Sequence, residues 1–167
     1  MKRDKDIRGK LAVVTGASSG IGLCFSRELA GRGCNLLMVS NQRQELETCA
    51  SEISAKHGVA AYTLHIDLTA PGASEEITGW LDRNRLVADY LINNAGIFSF
   101  QPVADMPQHK IDCFIRLHVD AVTNISRTFA LRFKERGSGR ILNMSSMSCW
   151  MPMPGIAMYS ATKSYIR

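Results

Sequence analysis

The sequence has no apolar run long enough to cross a bilayer. Its first apolar stretch, Leu11 to Val14, follows charged residues and is too short for a secretory signal. Its five cysteines (Cys24, Cys34, Cys49, Cys113 and Cys149) are odd in number and form no Cys-x-x-Cys pair. A disulfide framework is not expected, and a reducing, cytoplasmic setting is. Aromatics make up only 7% and do not interleave with the basic residues, so nucleic-acid binding is not expected. Internal repeats, low-complexity linkers and a metal-ligand pattern are also missing, which leaves one soluble domain over residues 1–167 and no metal site. The net charge of +5 gathers at Lys2, Arg3, Lys5, Arg8 and Lys10, and at Arg127, Arg132, Lys134, Arg136 and Arg140. It reads either as a solvated tail and helix face or as attraction for an anionic cofactor or an acidic carrier protein.

Short apolar runs alternate with longer amphipathic ones. Strands are expected at Leu11–Thr15, Asn35–Val39, Ala60–Ile66, Tyr90–Asn93 and Arg140–Met144. Helices are expected at Ile21–Arg32, Gln42–His57 (Leu46 and Ile53 inward), Ala73–Asn84 (Ile77, Trp80 and Leu81), about Pro107–Arg136, and from near Met158. Strands that are apolar throughout and alternate with helices predict an α/β fold, with parallel strands covered on both faces.

Thr15-Gly16-Ala17-Ser18-Ser19-Gly20-Ile21-Gly22 leaves the first strand and opens the first helix. In that context Gly16 makes the sharp exit, Gly20 admits a pyrophosphate to the backbone, and Gly22 lets helix and strand pack closely. The helix N-terminus would supply N–H groups to the phosphates. A tight turn with no ligand is the other reading. After the second strand come Ser40-Asn41-Gln42-Arg43, with no carboxylate before Glu45. An NAD-selective fold places Asp or Glu there, so the neutral residues and Arg43 tip the expectation to NADP over NAD.

Near the end of the chain stands Tyr159-Ser-Ala-Thr-Lys163, with Ser146 thirteen residues before the tyrosine. These three residue types at this spacing can perform proton transfer on a carbonyl. Four apart on a helix, Tyr159 and Lys163 share one face, where the ammonium favours the phenolate.

These motifs, in this order, resemble the short-chain dehydrogenase/reductase family over about Gly9 to Arg167. Thr15 to Gly22 is similar to its cofactor turn, and Asp67-Leu68 to its adenine-contacting site. Asn93-Asn94-Ala95-Gly96 is similar to its Asn-Asn-Ala-Gly signature, and Ser146, Tyr159 and Lys163 to its catalytic residues. The resemblance implies hydride transfer between NADP(H) and a carbonyl or secondary alcohol. Tyr159 would be the acid/base, Lys163 its partner and ribose clamp, and Ser146 the stabiliser of the substrate oxygen. Gly16, Ser18, Ser19, Gly20, Ile21 and Gly22 would hold the cofactor, with Asn41, Asp67, Leu68, Asn94, Ala95 and Gly96. Asp67 also reads as a turn former, and Asn94 as a brace between strands.

Two departures from the family stand out. An Asn that it places on the long helix is replaced by His118, which reads either as a core histidine on a stripe with Ile111, Phe114, Ile115, Val122 and Ile125, or as a proton relay able to hold a water or titrate near neutral pH. The family also continues past the Tyr-x-x-x-Lys helix with further strands and a substrate cover. The resemblance therefore implies a truncated member: a Rossmann-like, doubly wound parallel sheet with about five strands and the C-terminal strands missing. A bare sheet edge there would invite a homo-oligomer. The alternative is a fragment that binds nucleotide or oligomerises without turnover. Phe98 to Gln101 and the Met-rich Met151 to Met158 suggest a lipophilic or adaptable pocket.

Overall fold

A computed structural model describes residues 6–167; Lys2, Arg3 and Lys5 of the basic N-terminal group lie outside the described residues. The elements follow in the order β1 (Leu11–Thr15), α1 (Gly20–Gly31), β2 (Asn35–Ser40), α2 (Arg43–His57), β3 (Ala61–His65), α3 (Ala73–Arg83) and β4 (Tyr90–Asn93). Then come α4 (Gln108–Ile115), α5 (Val122–Arg136), β5 (Arg140–Asn143) and α6 (Ala157–Ile166). The five strands form one parallel sheet in the order β3-β2-β1-β4-β5. The chain winds outward from β1 to β3, returns to β4 on the other side of β1, and continues to β5. The reversal between β1 and β4 opens a crevice at the carboxyl ends of the strands, where doubly wound sheets bind ligands.

Alternate residues of β1 feed two separate cores, because successive side chains point to opposite faces of a strand. Leu11 and Val13 join Leu37, Leu91 and the α3 and α5 residues Ile77, Leu81, Ile125 and Phe129. Ala12 and Val14 join Leu36, Met38 and the α1 and α2 residues Ala30, Leu46 and Ile53. At about 25 cal/mol per Å2 of apolar surface removed from water, each large side chain so buried contributes about 1.5–3 kcal/mol before conformational entropy is counted. Trp80 is only partly buried and packs on Tyr62, with ring centroids 5.5 Å apart. β5 is an edge strand with mostly exposed side chains, paired only with β4 among the described residues.

The apolar period predicts one helix from Pro107 to Arg136. It is broken instead: a π-turn over Arg116–Ala121 separates α4 from α5. A π-turn takes in an extra residue, which rotates the helix before it by about 100° relative to the helix after it. Ile115, expected inward, is consequently 41% exposed, while Phe114 and His118 are fully buried.

Candidate active site

The crevice is a cavity of about 510 Å3. The turn after β1 borders it through Gly16, Ser18, Ser19, Gly20 and Ile21, and the end of β2 through Asn41. Asp67 and Leu68 follow β3 into it, and Asn94, Ala95 and Gly96 follow β4. Gly22 is buried under the turn rather than facing the cavity, and a Cβ there would run into the Gly16 carbonyl. Gly16 has φ +66°, and a Cβ on it would stand 2.9 Å from the Ala95 Cα. A Cβ on Gly20 would meet no atom within 4 Å, so this glycine leaves open a space that a side chain would fill. The N-terminus of α1 has no side-chain cap, which leaves its first N–H groups free for an anion. An open, uncapped glycine turn fits a pyrophosphate.

Thr15, the first residue of the glycine-rich turn, binds the two sides of this crevice together. Its Oγ1 accepts from the N–H groups of Asn94 and Ala95, each at 3.0 Å, and is buried. Asn94 Nδ2 in return donates to the Thr15 carbonyl at 3.1 Å. Asn93 braces the other side of β4, donating to Asn143 Oδ1 at 2.8 Å and Ser126 Oγ at 2.9 Å. Asp67 forms a turn as well as bordering the cavity: its Oδ1 accepts from the N–H and the hydroxyl of Thr69.

At the tip of β2 the hydroxyls are already committed. Ser18 donates to Gln42 Oε1 at 2.8 Å, and the Gln42 N–H donates to Ser40 Oγ at 3.1 Å. Ser18 and Ser40 are 2.8 Å apart. Each hydroxyl has one proton, so Ser40 donates to Ser18 and the three residues close a ring. Ser40 is therefore buried and occupied, whereas Asn41 is exposed.

The residues expected to carry the chemistry, Ser146, Tyr159 and Lys163, lie past Gly96. Lys163 is buried on α6 and donates from Nζ to the Met144 carbonyl at 2.9 Å. Ser145 donates to the Lys163 carbonyl at 2.6 Å, so the end of β5 and α6 clasp each other in both directions. Burial pulls the Lys163 ammonium below the usual lysine range. Nζ stands 5.8 Å from the centre of the Tyr159 ring. Two rings also stand against Tyr159, Phe98 with its centroid at 5.1 Å and His118 at 5.9 Å. Ser146 Oγ accepts from the Ser148 N–H at 3.2 Å and the Ser148 hydroxyl at 2.9 Å. With two bonds accepted, its own proton is left to donate. Ser145 and Ser148 thus hold the site in shape.

His118 is fully buried inside the π-turn. The Ile97 N–H donates to its Nε2 at 3.0 Å, so that nitrogen carries no proton. Nδ1 then donates to Thr162 Oγ1 at 2.9 Å, and the Thr162 hydroxyl passes its proton to the Met158 and Tyr159 carbonyls. Burial first, and the Lys163 charge second, push the imidazole down to about 4. Of the two readings of this residue, the geometry fits the core histidine: the ring is neutral near pH 7 and braces its neighbours. A Cβ on Gly96 would lie 2.9 Å from His118 Nε2 and 3.4 Å from Lys163 Nζ, so the glycine marks where crevice, brace and ammonium meet.

Known proteins are similar to this chain in sequence and fold. A very-long-chain 3-oxoacyl-CoA reductase from Bos taurus is 34% identical over 162 residues, covering 95% of this chain and 51% of the relative. The crystal structure of an L-sorbose reductase from Gluconobacter frateurii, complexed with NADPH and L-sorbose, matches with a TM-score of 0.91 and 29% identity. The match covers 98% of this chain and 62% of that one. An NAD+-bound xylitol dehydrogenase matches with a TM-score of 0.89 and 28% identity, over 97% and 62% of the two chains. The chain spans about half the length of the curated relatives it matches. No helix among the described residues is long and apolar enough to cross a membrane. The sequence model for short chain dehydrogenases matches residues 10–167, and the chain belongs to that family.

Proposed function

We propose that the protein is an oxidoreductase passing a hydride between NADP(H) and a carbonyl or secondary-alcohol substrate. The observation that carries this reading is the meeting at Gly96: the nucleotide crevice ends where the buried Lys163 and the Tyr159 ring begin. The dinucleotide, when bound, supplies or accepts the hydride. Tyr159 hands a proton to the substrate oxygen, or takes one from it in the reverse direction; among the described residues its hydroxyl makes no hydrogen bond that would compete. Ser146 donates its free proton to the same oxygen as negative charge develops there. Lys163, fixed by the Met144 carbonyl, keeps its remaining N–H donors for the nicotinamide ribose and the phenol oxygen. His118 is a positioning residue that holds the helix carrying both. NADP over NAD is supported by Arg43 and by the lack of a carboxylate at the tip of β2.

Exposed Phe98, Phe100, Trp150, Met151 and Met153 favour a lipophilic substrate, since Met and aromatic side chains adapt to bulky apolar groups. Five unpaired cysteines favour a cytoplasmic, reducing setting.

The test is Tyr159→Phe, followed by nicotinamide absorbance with a panel of bulky ketones. Turnover should fall by about a hundredfold or more while NADPH binding stays within about twofold. Undiminished turnover overturns the assignment. A wild-type protein that binds NADPH and turns over no ketone supports the alternative of a non-catalytic nucleotide-binding chain.

A further inference from the structure

His65 is the last residue of β3 and the register partner of Ser40, the last residue of β2. That pairing sets its ring beside the segment Asn41 to Arg43, where β2 hands over to α2. His65 Nε2 is 3.1 Å from the Asn41 carbonyl. A carbonyl only accepts, so Nε2 carries the proton and Nδ1 presents a lone pair. Arg43 Nη2 donates to that lone pair at 3.2 Å. Glu47 flanks the other arm, with Oε1 3.7 Å from Arg43 Nη1. The guanidinium is thus held between His65 and Glu47, yet the Arg43 side chain is 65% exposed and has N–H donors to spare.

The surroundings leave Arg43 with a specific task. Ser18 and Ser40 are tied up in their ring with Gln42, so neither hydroxyl is free at the tip of β2. Asn41 borders the crevice, and its carbonyl is the one His65 holds. One imidazole therefore contacts both the Asn41 carbonyl at the crevice rim and the Arg43 guanidinium two residues on. A bare arginine loses rotamer freedom when it captures an anion; one already fixed has lost much of that freedom beforehand.

We propose that His65 is a specificity-determining positioning residue: by holding Arg43 at the rim beside Asn41, it selects a dinucleotide carrying a phosphate on its adenosine ribose over one with free hydroxyls there. This rests on the nucleotide reading of the crevice and adds to it a residue on β3.

The experiment measures dissociation constants for NADPH and NADH by calorimetry on the wild type, His65→Ala, His65→Gln, Arg43→Ala and the Ala double variant. The wild type is expected to favour NADPH by about tenfold or more, as charge-assisted arginine–phosphate pairs imply. His65→Ala should weaken NADPH about fivefold and leave NADH within about twofold. In the Arg43→Ala background it should have no further effect, because the two residues act through one contact. His65→Gln should restore most of the loss, since its amide can donate to Asn41 and accept from Arg43. An unchanged NADPH affinity in His65→Ala, equal loss for both nucleotides, or full additivity with Arg43→Ala overturns the role of His65 alone. A wild type that binds neither nucleotide, or does not prefer NADPH, overturns the reading of the crevice on which it rests.

Discussion

His118 Nδ1 donates to Thr162 Oγ1 at 2.9 Å, joining the π-turn of one helical segment to the middle of α6. The bond fixes more than a tautomer. Thr162 lies one residue before Lys163 and three after Tyr159, so the neutral imidazole sets the height and rotation of the helix that carries the proposed proton donor. Through Nε2 the same ring also fixes the Ile97 N–H beside the crevice. Protonation of Nε2 would point two donors at each other.

Acid should therefore weaken the fold through this group. His118 is held near 4 against an ordinary 6.5, so between those values the unfolded chain binds more protons than the folded one. The stability that the neutral ring contributes is present above about pH 6.5 and is lost as pH falls toward 4, an effect on the order of 3 kcal/mol. Urea unfolding of the wild type and His118→Asn across that range checks it. The wild type should lose more stability than the variant, and parallel pH profiles would assign the acid sensitivity elsewhere.

Thr15→Val removes the acceptor for the Asn94 and Ala95 N–H groups while keeping the shape of the side chain. Leaving such groups without a partner costs about 1–3 kcal/mol. Thr15→Ser should recover most of that. The midpoints of denaturant unfolding for the three proteins decide the matter, and a neutral Thr15→Val would show that water replaces the hydroxyl.

Gly16 and Gly58 form a matched pair, at φ +66° and +67°. An alanine at Gly58 would meet nothing within 4 Å and should cost only the left-handed backbone term, about 1–2 kcal/mol. At Gly16 the added Cβ also presses on Ala95 Cα at 2.9 Å. Gly16→Ala should thus destabilise the protein more than Gly58→Ala and weaken nucleotide binding, which Gly58→Ala should spare. Equal melting temperatures for the two variants would contradict the close approach.

Much of this was legible from local pattern. β1 and β4 begin and end where the apolar runs do, because a strand covered on both faces can carry little else. The glycine turn and its open space were readable because a left-handed residue before a helix has few alternatives to glycine. The π-turn was not. Ile111 to Ile125 fits an unbroken helical period, and the partners that hold His118 within the turn are Ile97 and Thr162, 21 and 44 residues away in the chain. The Ser18–Ser40–Gln42 ring and the His65–Arg43 contact were hidden for a related reason: each is created by strand register. The aspartate of Asp67-Leu68-Thr69 was readable both ways, and it both turns the chain and borders the crevice.

The reciprocal clasp between Met144–Ser145 and Lys163 has a consequence for motion. Two bonds running in opposite directions across one junction resist both sliding and hinging, so β5 and α6 travel as a unit. Local breathing is then expected in the stretches outside that unit, Phe98 to Met106 and Met151 to Gly155. These two stretches share the Gln101 N–H to Gly155 carbonyl bond and the stacking of Phe100 against Gly155. Amide exchange should be slow at Ser160 and Lys163, inside that unit, and faster at Gln101, outside it.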